Sequence, residues 1–104
     1  MNKYRRLFEP NQKIDVININ AGSSVSHEIT KAYICIGLAK EGRHFLTEGK
    51  FIFNGKKGRC DIADLSSGRC IEVVESESSE SIEAKRKFYP LPVMAIPASD
   101  KFFR

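Results

Sequence analysis

Residues 59–75 read Arg59-Cys-Asp-Ile-Ala-Asp-Leu-Ser-Ser-Gly-Arg-Cys-Ile-Glu-Val-Val-Glu75. Two apolar-rich segments, 59–65 and 69–75, flank a Ser-Ser-Gly turn signal, and this pattern predicts a β-hairpin. With Ser67 and Gly68 as a two-residue loop, Asp61 and Glu72 face the same side of the sheet as diagonal neighbours. Two adjacent carboxylates in apolar surroundings repel each other unless they share a proton or a cation. The pair is therefore a candidate oxygen-ligand site for a divalent metal.

The composition is that of a soluble globular protein, with 104 residues, 41% hydrophobic and 29% charged. This length predicts a single domain over residues 1–104. The net charge of +4 permits a nucleic-acid partner without requiring one. No apolar run is long enough to cross a membrane, and the N-terminus lacks the apolar stretch of a secretory signal, so we expect no membrane association and a cytoplasmic location.

The three cysteines do not have the spacing of a zinc motif. Cys35 falls within a helical apolar pattern, whereas Cys60 and Cys70 belong to the two arms of the hairpin. Free thiols are expected in a reducing cytoplasm, and a Cys60–Cys70 disulfide is the alternative in an oxidising compartment.

The remaining segments predict the order helix, antiparallel strands, helix, strand. Ser24 is positioned to cap a first helix over 25–40, whose apolar stripe comprises Ile29, Ala32, Tyr33, Ile36, Leu38 and Ala39. Strands follow at 44–47, 50–54 and in the hairpin, then a helix over 79–88. A last strand over 91–97 can lie parallel to the Glu72 strand after a right-handed crossover. Residues 1–20 are expected to form an arm, with an edge strand over 13–20, and residues 99–104 a tail.

These elements predict an α/β fold in which a mixed central β-sheet carries a helix on each face. In the order of its elements and the spacing of its acids, the segment 24–97 resembles the PD-(D/E)xK superfamily, the restriction-endonuclease-like fold of archaeal Holliday junction resolvases and many repair nucleases. The likeness rests on Glu28 in the first helix, Asp61 on one hairpin arm and Glu72 on the other. The resemblance implies a metal-dependent DNA endonuclease of the resolvase or repair type.

The same resemblance implies a metal site. Asp61, Glu72 and the backbone carbonyl of Val73 would hold Mg²⁺ or Mn²⁺, and Glu28 would add a ligand directly or through water. The family motif has Glu-x-Lys, whereas this chain reads Glu72-Val-Val74, so Val74 stands where the catalytic lysine is expected. A lysine on the second helix, Lys85 or Lys87, resembles the replacement that some relatives use, and Lys31 on the first helix is the alternative.

A group of basic residues would neutralise the phosphates of duplex or branched DNA. These candidates are Lys31, Lys56, Lys57, Arg59, Arg86 and Lys87. Because one domain of this size contacts only part of a duplex, the resemblance also implies a homodimer. His27 is expected at the surface or in a helix cap, and not paired with Glu28, because successive helical residues do not face each other.

Other functions remain open at this point. Val74 in place of the lysine favours a catalytically inactive nuclease fold that binds DNA or acts as a scaffold. Asp61 could instead be an ordinary strand acid paired with Arg59 or Arg69. Glu72 could form a buried pair with an arginine or lysine. If both acids are used in this way, the chain would be a structural interaction module.

Overall fold

A computed structural model describes residues 3–99 of the chain. A short 3₁₀ turn (Arg5–Leu7) is followed by α1 (Val25–Lys40), β1 (Phe45–Phe53), β2 (Lys56–Asp64), β3 (Arg69–Val74), α2 (Ser79–Phe88) and β4 (Val93–Pro97). The strands form one sheet in the order β1-β2-β3-β4. β2 is antiparallel to β1 and β3, whereas β4 is parallel to β3. The predicted α/β fold with a mixed sheet is confirmed.

Local signals determine where the two helices begin and end. Ser24 accepts a hydrogen bond from the backbone of His27 at the start of α1, and Ser78 does the same for Ser81 at the start of α2. α1 ends before Gly42, which has a φ of +74°. α2 ends before Pro90, which cannot continue a helix. Both helices have the predicted bounds.

The two faces of the sheet are covered differently. α1 packs on one face, where Cys35 and Leu38 contact Phe45, Ile62 and Ile71. The opposite face forms the larger core, and α2 buries none of its own residues there. That core contains Phe8, Leu46, Phe51, Cys60, Ala63, Leu65, Cys70, Leu91 and Val93. The N-terminal segment and the residues after α2 therefore supply the cover on this face.

The predicted edge strand over 13–20 is wrong, because this segment is irregular. It is nevertheless attached to β1. The Asp15 amide donates to the Phe45 carbonyl (2.8 Å), and the Asn18 amide donates to Thr47 Oγ1 (2.9 Å). The strands predicted at 44–47 and 50–54 are one strand, interrupted at Glu48 by a φ of +51°. Residues 100–104 of the predicted tail lie outside the described residues.

Of the predicted apolar stripe of α1, Leu38 is buried against the sheet. Tyr33 and Ile36 are exposed. The buried residues of α1 are Glu28, Thr30, Lys31, Cys35 and Leu38. The inward face of α1 therefore carries a carboxylate and an ammonium group, and these belong to the site described below.

All three cysteines are buried and carry free thiols. Within residues 3–99, no helix has the length and apolar character needed to cross a bilayer.

Candidate functional site

The ladder between β2 and β3 opens next to Asp61 and Glu72. The strands pair at Asp64↔Arg69, Ala63↔Cys70 and Ile62↔Ile71. The pairs end there, before Asp61 and Glu72 are reached. The predicted two-residue loop is wrong, because the hairpin loop has four residues, 65–68.

The last residue of the loop has to be glycine. The φ of Gly68 is +76°, a conformation that costs a residue with a Cβ about 1–2 kcal/mol. A Cβ at this position would also clash with the ring of Tyr4. The loop therefore depends on glycine for both its backbone conformation and its contact with the N-terminal segment.

Carboxylate groups replace the backbone hydrogen bonds where the ladder opens. The Asp61 amide donates to Glu72 Oε2 (2.7 Å), and the Val73 amide donates to Asp61 Oδ2 (2.8 Å). Each acid thus satisfies a backbone donor of the strand opposite its own. These two hydrogen bonds hold both carboxylates between β2 and β3. Asp61 and Glu72 are the two acids that the sequence predicted as a pair.

Glu72 is a buried carboxylate, with 4% of its surface exposed. Its Oε1 accepts a hydrogen bond from the Tyr89 hydroxyl (2.8 Å) and lies 3.2 Å from Lys85 Nζ. Burial, together with the charge of Asp61, raises the pKa of Glu72 although these donors act in the opposite direction.

Lys85 reaches this acid from α2. Its Nζ also lies 2.8 Å from an oxygen of Glu77. Burial alone would lower the pKa of Lys85, but Glu77 and Glu72 outweigh it and raise the pKa. The lysine is therefore held in its charged form between two carboxylates. Of the candidate lysines on α2, Lys85 contacts Glu72, and its role as a replacement lysine stays a prediction.

Glu28 forms the other side of the site. Its Oε1 accepts a hydrogen bond from the Asn20 amide (2.7 Å) and lies 2.6 Å from Lys31 Nζ. Burial would raise the pKa of Glu28, but the Asn20 amide, Lys31 and His27 outweigh it and lower the pKa. Glu28 is thus held as an ionised carboxylate.

Lys31 is fully buried, with none of its surface exposed, and Glu48 Oε1 lies 3.8 Å from its Nζ. A buried ammonium group cannot reach a phosphate on the outside of the protein. The prediction that Lys31 contacts DNA is corrected to an internal ion pair with Glu28. The buried charge requires this partner, because an unpaired one would be strongly destabilising.

His27 connects the two sides of the site. Its Nδ1 lies 2.6 Å from Glu28 Oε2, and its Nε2 lies 3.2 Å from Asp61 Oδ2. The expectation that His27 and Glu28 do not meet is wrong, because side chains in a first helical turn lean back beyond the helix end and can converge there. Burial disfavours the imidazolium form, but the hydrogen bonds to Glu28 and Asp61 outweigh it and raise the pKa of His27.

The structure thus connects Glu28 to Asp61 through His27 and places Lys85 against Glu72, while the contact between Asp61 and Glu72 is the hydrogen bond from the Asp61 amide. Asp61 is paired with His27 and not with Arg69, which contacts Asp64 instead (3.3 Å). Sequence reasoning missed three neighbours of the site, His27, Tyr89 and Glu48. Tyr89 could have been suspected as a neighbour of the site, because it directly follows the basic end of α2 and precedes Pro90.

The predicted basic surface lies partly next to this site. Lys56 Nζ is 4.2 Å from the centre of the Phe88 ring. This contact connects the start of β2 with the end of α2. The Tyr89 hydroxyl also lies 3.1 Å from the Arg59 carbonyl. The exposed members of the surface are Lys56, Lys57, Arg59, Arg86 and Lys87. Arg86 forms an ion pair with Glu83 on the same helix.

The donor chemistry of the acid pair is compatible with a hard divalent cation. Asp61 Oδ1 accepts no hydrogen bond from any residue in the range 3–99, and its side chain is 20% exposed. Val73 directs its amide toward Asp61, and a ligand role for its carbonyl stays a prediction. Among the described residues, no three His, Cys, Asp or Glu side chains converge as a ready-made metal cage. Mg²⁺ is commonly held by one or two carboxylates together with water and substrate phosphate, which is within what this site offers.

No protein-family model matches the chain, and neither a curated protein nor a solved structure matches it significantly. The resemblance to the PD-(D/E)xK superfamily therefore stays a prediction from the sequence.

Proposed function

We propose that this protein is a metal-dependent DNA endonuclease of the resolvase or repair type. The observation that carries the proposal is the contact between Lys85 Nζ and Glu72 Oε1 (3.2 Å). It gives the Asp61–Glu72 pair a lysine from α2, where the family motif supplies one from the strand. An acid pair with an adjacent lysine is the minimal set of groups for metal-assisted phosphodiester hydrolysis.

Each side chain of the site would have its own role in the reaction. Mg²⁺ or Mn²⁺ bound at Asp61 and Glu72 would supply an acidified water and charge neutralisation at the scissile phosphate. Lys85 would stabilise the negative charge that develops on the phosphate, because an ammonium group held in place by two carboxylates needs little reorganisation. Glu28 would hold His27 and, through it, Asp61.

The exposed basic residues would bind the flanking DNA. Lys56, Lys57 and Arg59 on β2, with Arg86 and Lys87 on α2, are available to neutralise phosphates. Their contribution would be independent of sequence and sensitive to salt. A homodimer would place two such sites on one duplex or branched DNA, and light scattering after gel filtration tests this part of the proposal.

A non-catalytic DNA-binding or scaffolding protein is the second candidate. It is favoured because both acids already have hydrogen-bond donors within the chain. Glu72 accepts hydrogen bonds from a backbone amide and from Tyr89, and Asp61 accepts one from a backbone amide and contacts His27. In this case the opened ladder would be a structural device, and Val74 would mark the loss of catalysis.

Cleavage assays separate the two candidates. Plasmid, linear duplex and four-way-junction DNA are incubated with the protein and Mg²⁺ or Mn²⁺, beside Asp61→Asn and Glu72→Gln. Glu41→Gln changes an exposed acid at the end of α1 and serves as the matched control. We expect metal-dependent cleavage that is lost in the two site variants and retained in the control. DNA binding without cleavage, unchanged in all variants, would favour the second candidate.

A further inference from the structure

The outward side of α1 carries a line of apolar residues. They are three or four positions apart, so they share one face of the helix. These residues form the outer stripe of α1, and they are Val25, Ile29, Ala32, Ile36 and Ala39. Glu28 and Lys31, in contrast, are buried. The helix thus buries an ion pair and exposes apolar side chains, the reverse of an ordinary surface helix.

The spacing within the outer stripe is that of a helix–helix contact. From Val25 to Ala39 its members follow at intervals of four, three, four and three residues. This alternation is that of the a and d positions in a heptad pattern. It keeps apolar side chains aligned with those of a second helix packed alongside. The spacing therefore predicts that the partner of the outer stripe is itself a helix.

The exposed area corresponds to one half of a dimer interface. Val25 is 64% exposed and Ile36 is 49% exposed, and the flanking residues Ile19 and Tyr33 are 66% and 63% exposed. At roughly 200 Å² for a large residue, these four expose about 500 Å². A standard interface takes about 800 Å² from each partner, of which about 65% is apolar in homodimers. The exposed patch therefore suffices for the apolar part of such an interface.

A cavity of about 360 Å³ lies beside the outer stripe. Val25, Ile29 and Ala32 of α1 line it, together with Ile19 and Ala21 of the segment before the helix. An apolar side chain from a neighbouring molecule can enter a cavity of this kind, and such anchoring contacts often dominate the binding energy. The patch thus has depth as well as area.

The distribution of charge favours a second copy of the same chain as the partner. An acidic protein or an anionic membrane would be attracted by lysine or arginine beside the apolar residues. Between Val25 and Ala39, the one such residue of α1 is Lys31, which is buried. Two copies with a net charge of +4 repel each other in general, and the uncharged stripe is a surface on which they can meet.

We propose that the outer stripe of α1 binds the outer stripe of a second copy, which makes the protein a homodimer with two antiparallel α1 helices. A twofold axis near Ala32 pairs the stripe with itself, so that Ile29 of one copy meets Ile36 of the other. The inference deepens the proposed function and rests on it for the role of the dimer. Because the acid site contacts the N-terminal turn of α1, the two sites lie toward opposite ends of the helix pair.

Sedimentation equilibrium of the full-length protein tests the inference. We expect a dimer whose dissociation constant rises at least tenfold in Ile36→Glu, because the dimer would bury two unpaired carboxylates. Ile52→Glu is the matched control, since Ile52 is 57% exposed but lies on β1. Circular dichroism verifies folding, and Val25→Glu provides a second substitution in the stripe. A monomer at every concentration, or equal dissociation constants in the stripe and control variants, would overturn the inference.

Cross-linking gives a second readout of the same contact. The three native cysteines are buried, so a cysteine introduced at the surface reacts selectively. Ala32→Cys should form a disulfide-linked dimer under mild oxidation with copper phenanthroline, because this position faces its own copy across the twofold axis. Ile52→Cys should remain monomeric on a non-reducing gel. Equal cross-linking of the two variants, or none in Ala32→Cys, contradicts the antiparallel pairing.

The inference and the proposed function can fail separately. A dimer that is weakened by Ile36→Glu but cleaves no DNA supports the interface and rejects the nuclease. Metal-dependent cleavage by a protein that is monomeric at every concentration supports the nuclease and rejects the interface. A monomer that binds phosphatidylcholine vesicles through the outer stripe also overturns the inference, because the stripe then belongs to a membrane contact.

Discussion

Lys85 Nζ lies 3.2 Å from Glu72 Oε1, although α2 supplies one residue and β3 the other. The connection that carries the chain from β3 to the parallel strand β4 passes through α2, and this connection brings Lys85 to the strand that bears the acid. A lysine on this helix can therefore occupy the place of a lysine on the strand. Val74 in the motif position does not by itself argue against catalysis.

Replacement of Lys85 tests this relationship. Lys85→Met should reduce the rate of metal-dependent DNA cleavage about 10²-fold, the loss typical when one preorganised charge-stabilising group is removed. Because the lysine is partly exposed, the free energy of unfolding should change by less than about 1 kcal/mol. Single-turnover cleavage and urea unfolding measure the two effects. Lys40→Met, at the end of α1, is the matched control, and an equal rate in both variants would contradict the role of Lys85.

The ionisation of Glu72 should be visible by NMR. Burial and Asp61 raise its pKa, so its carboxyl ¹³C signal should titrate at a higher pH than that of an ordinary glutamate. Tyr89→Phe removes a donor to the ionised form and should raise the pKa further. Tyr33→Phe, on the outer side of α1, should leave it unchanged. A Glu72 signal that titrates below the usual glutamate range would refute the assignment.

The sign of the pH effect on stability follows from this shift. A carboxyl whose pKa is higher in the folded protein binds its proton more tightly there than in the unfolded chain. The contribution of Glu72 to the free energy of unfolding should therefore rise as the pH falls from neutrality through the folded pKa, and level off below about 4.5, the ordinary value. Denaturation at a series of pH values checks this, with Glu72→Gln as the reference that lacks the effect.

The contribution of Asp64 to stability should have the opposite pH dependence, because its pKa is lowered in the folded protein. It is fully buried at the hairpin loop and accepts hydrogen bonds from the Ser66 and Ser67 amides and from the Ser67 hydroxyl. Burial would raise the pKa of Asp64, but these donors, with Arg69, outweigh it and lower the pKa. Its stabilising contribution should be complete above about 3.8 and be lost as the pH falls through the folded pKa.

Asp64→Asn should reduce the free energy of unfolding by about 2–4 kcal/mol, because a buried network loses its acceptor and two arginines lose their partner. Urea denaturation at pH 7 measures the loss. Glu41→Gln at the surface should change stability by less than about 0.5 kcal/mol. A loss in Asp64→Asn no larger than in this control would show that the network is dispensable.

DNA affinity should depend on salt through the basic surface. Each phosphate contact contributes about 0.9 to the slope of log K against log salt concentration on duplex DNA. Lys57→Ala and Arg59→Ala should each reduce that slope by about one, and Lys31→Ala should not reduce it. Fluorescence anisotropy across a salt series gives the slopes. Unchanged slopes in Lys57→Ala and Arg59→Ala would remove these residues from the DNA interface.

Helix bounds and strand order could be predicted because their signals are local. Ser24 and Ser78 cap helices that begin at the next residue, and Gly42 and Pro90 end them. The parallel fourth strand followed from the length of the connection through α2. These features depend on a few neighbouring residues and change little with tertiary context.

The buried face of α1 could not be predicted by counting apolar residues. The helix turns Glu28 and Lys31 inward and leaves Tyr33 and Ile36 exposed. An ion pair can be buried in this way, and the Asn20 amide that donates to Glu28 comes from a segment that sequence patterns do not bring next to the helix. The hairpin register was missed because the sequence was taken to form a two-residue loop, whereas residues 65–68 form the loop.

Two backbone amides at the opened ladder can also report the charge of the two carboxylates. The amide protons of residues 61 and 73 are each bound to a carboxylate oxygen where a neighbouring strand would normally supply a carbonyl. Their chemical shifts will follow the charge on those oxygens, whether a proton or an ion alters it. These two backbone resonances can thus show whether a proton or an ion is bound to the carboxylates, without any label in the site.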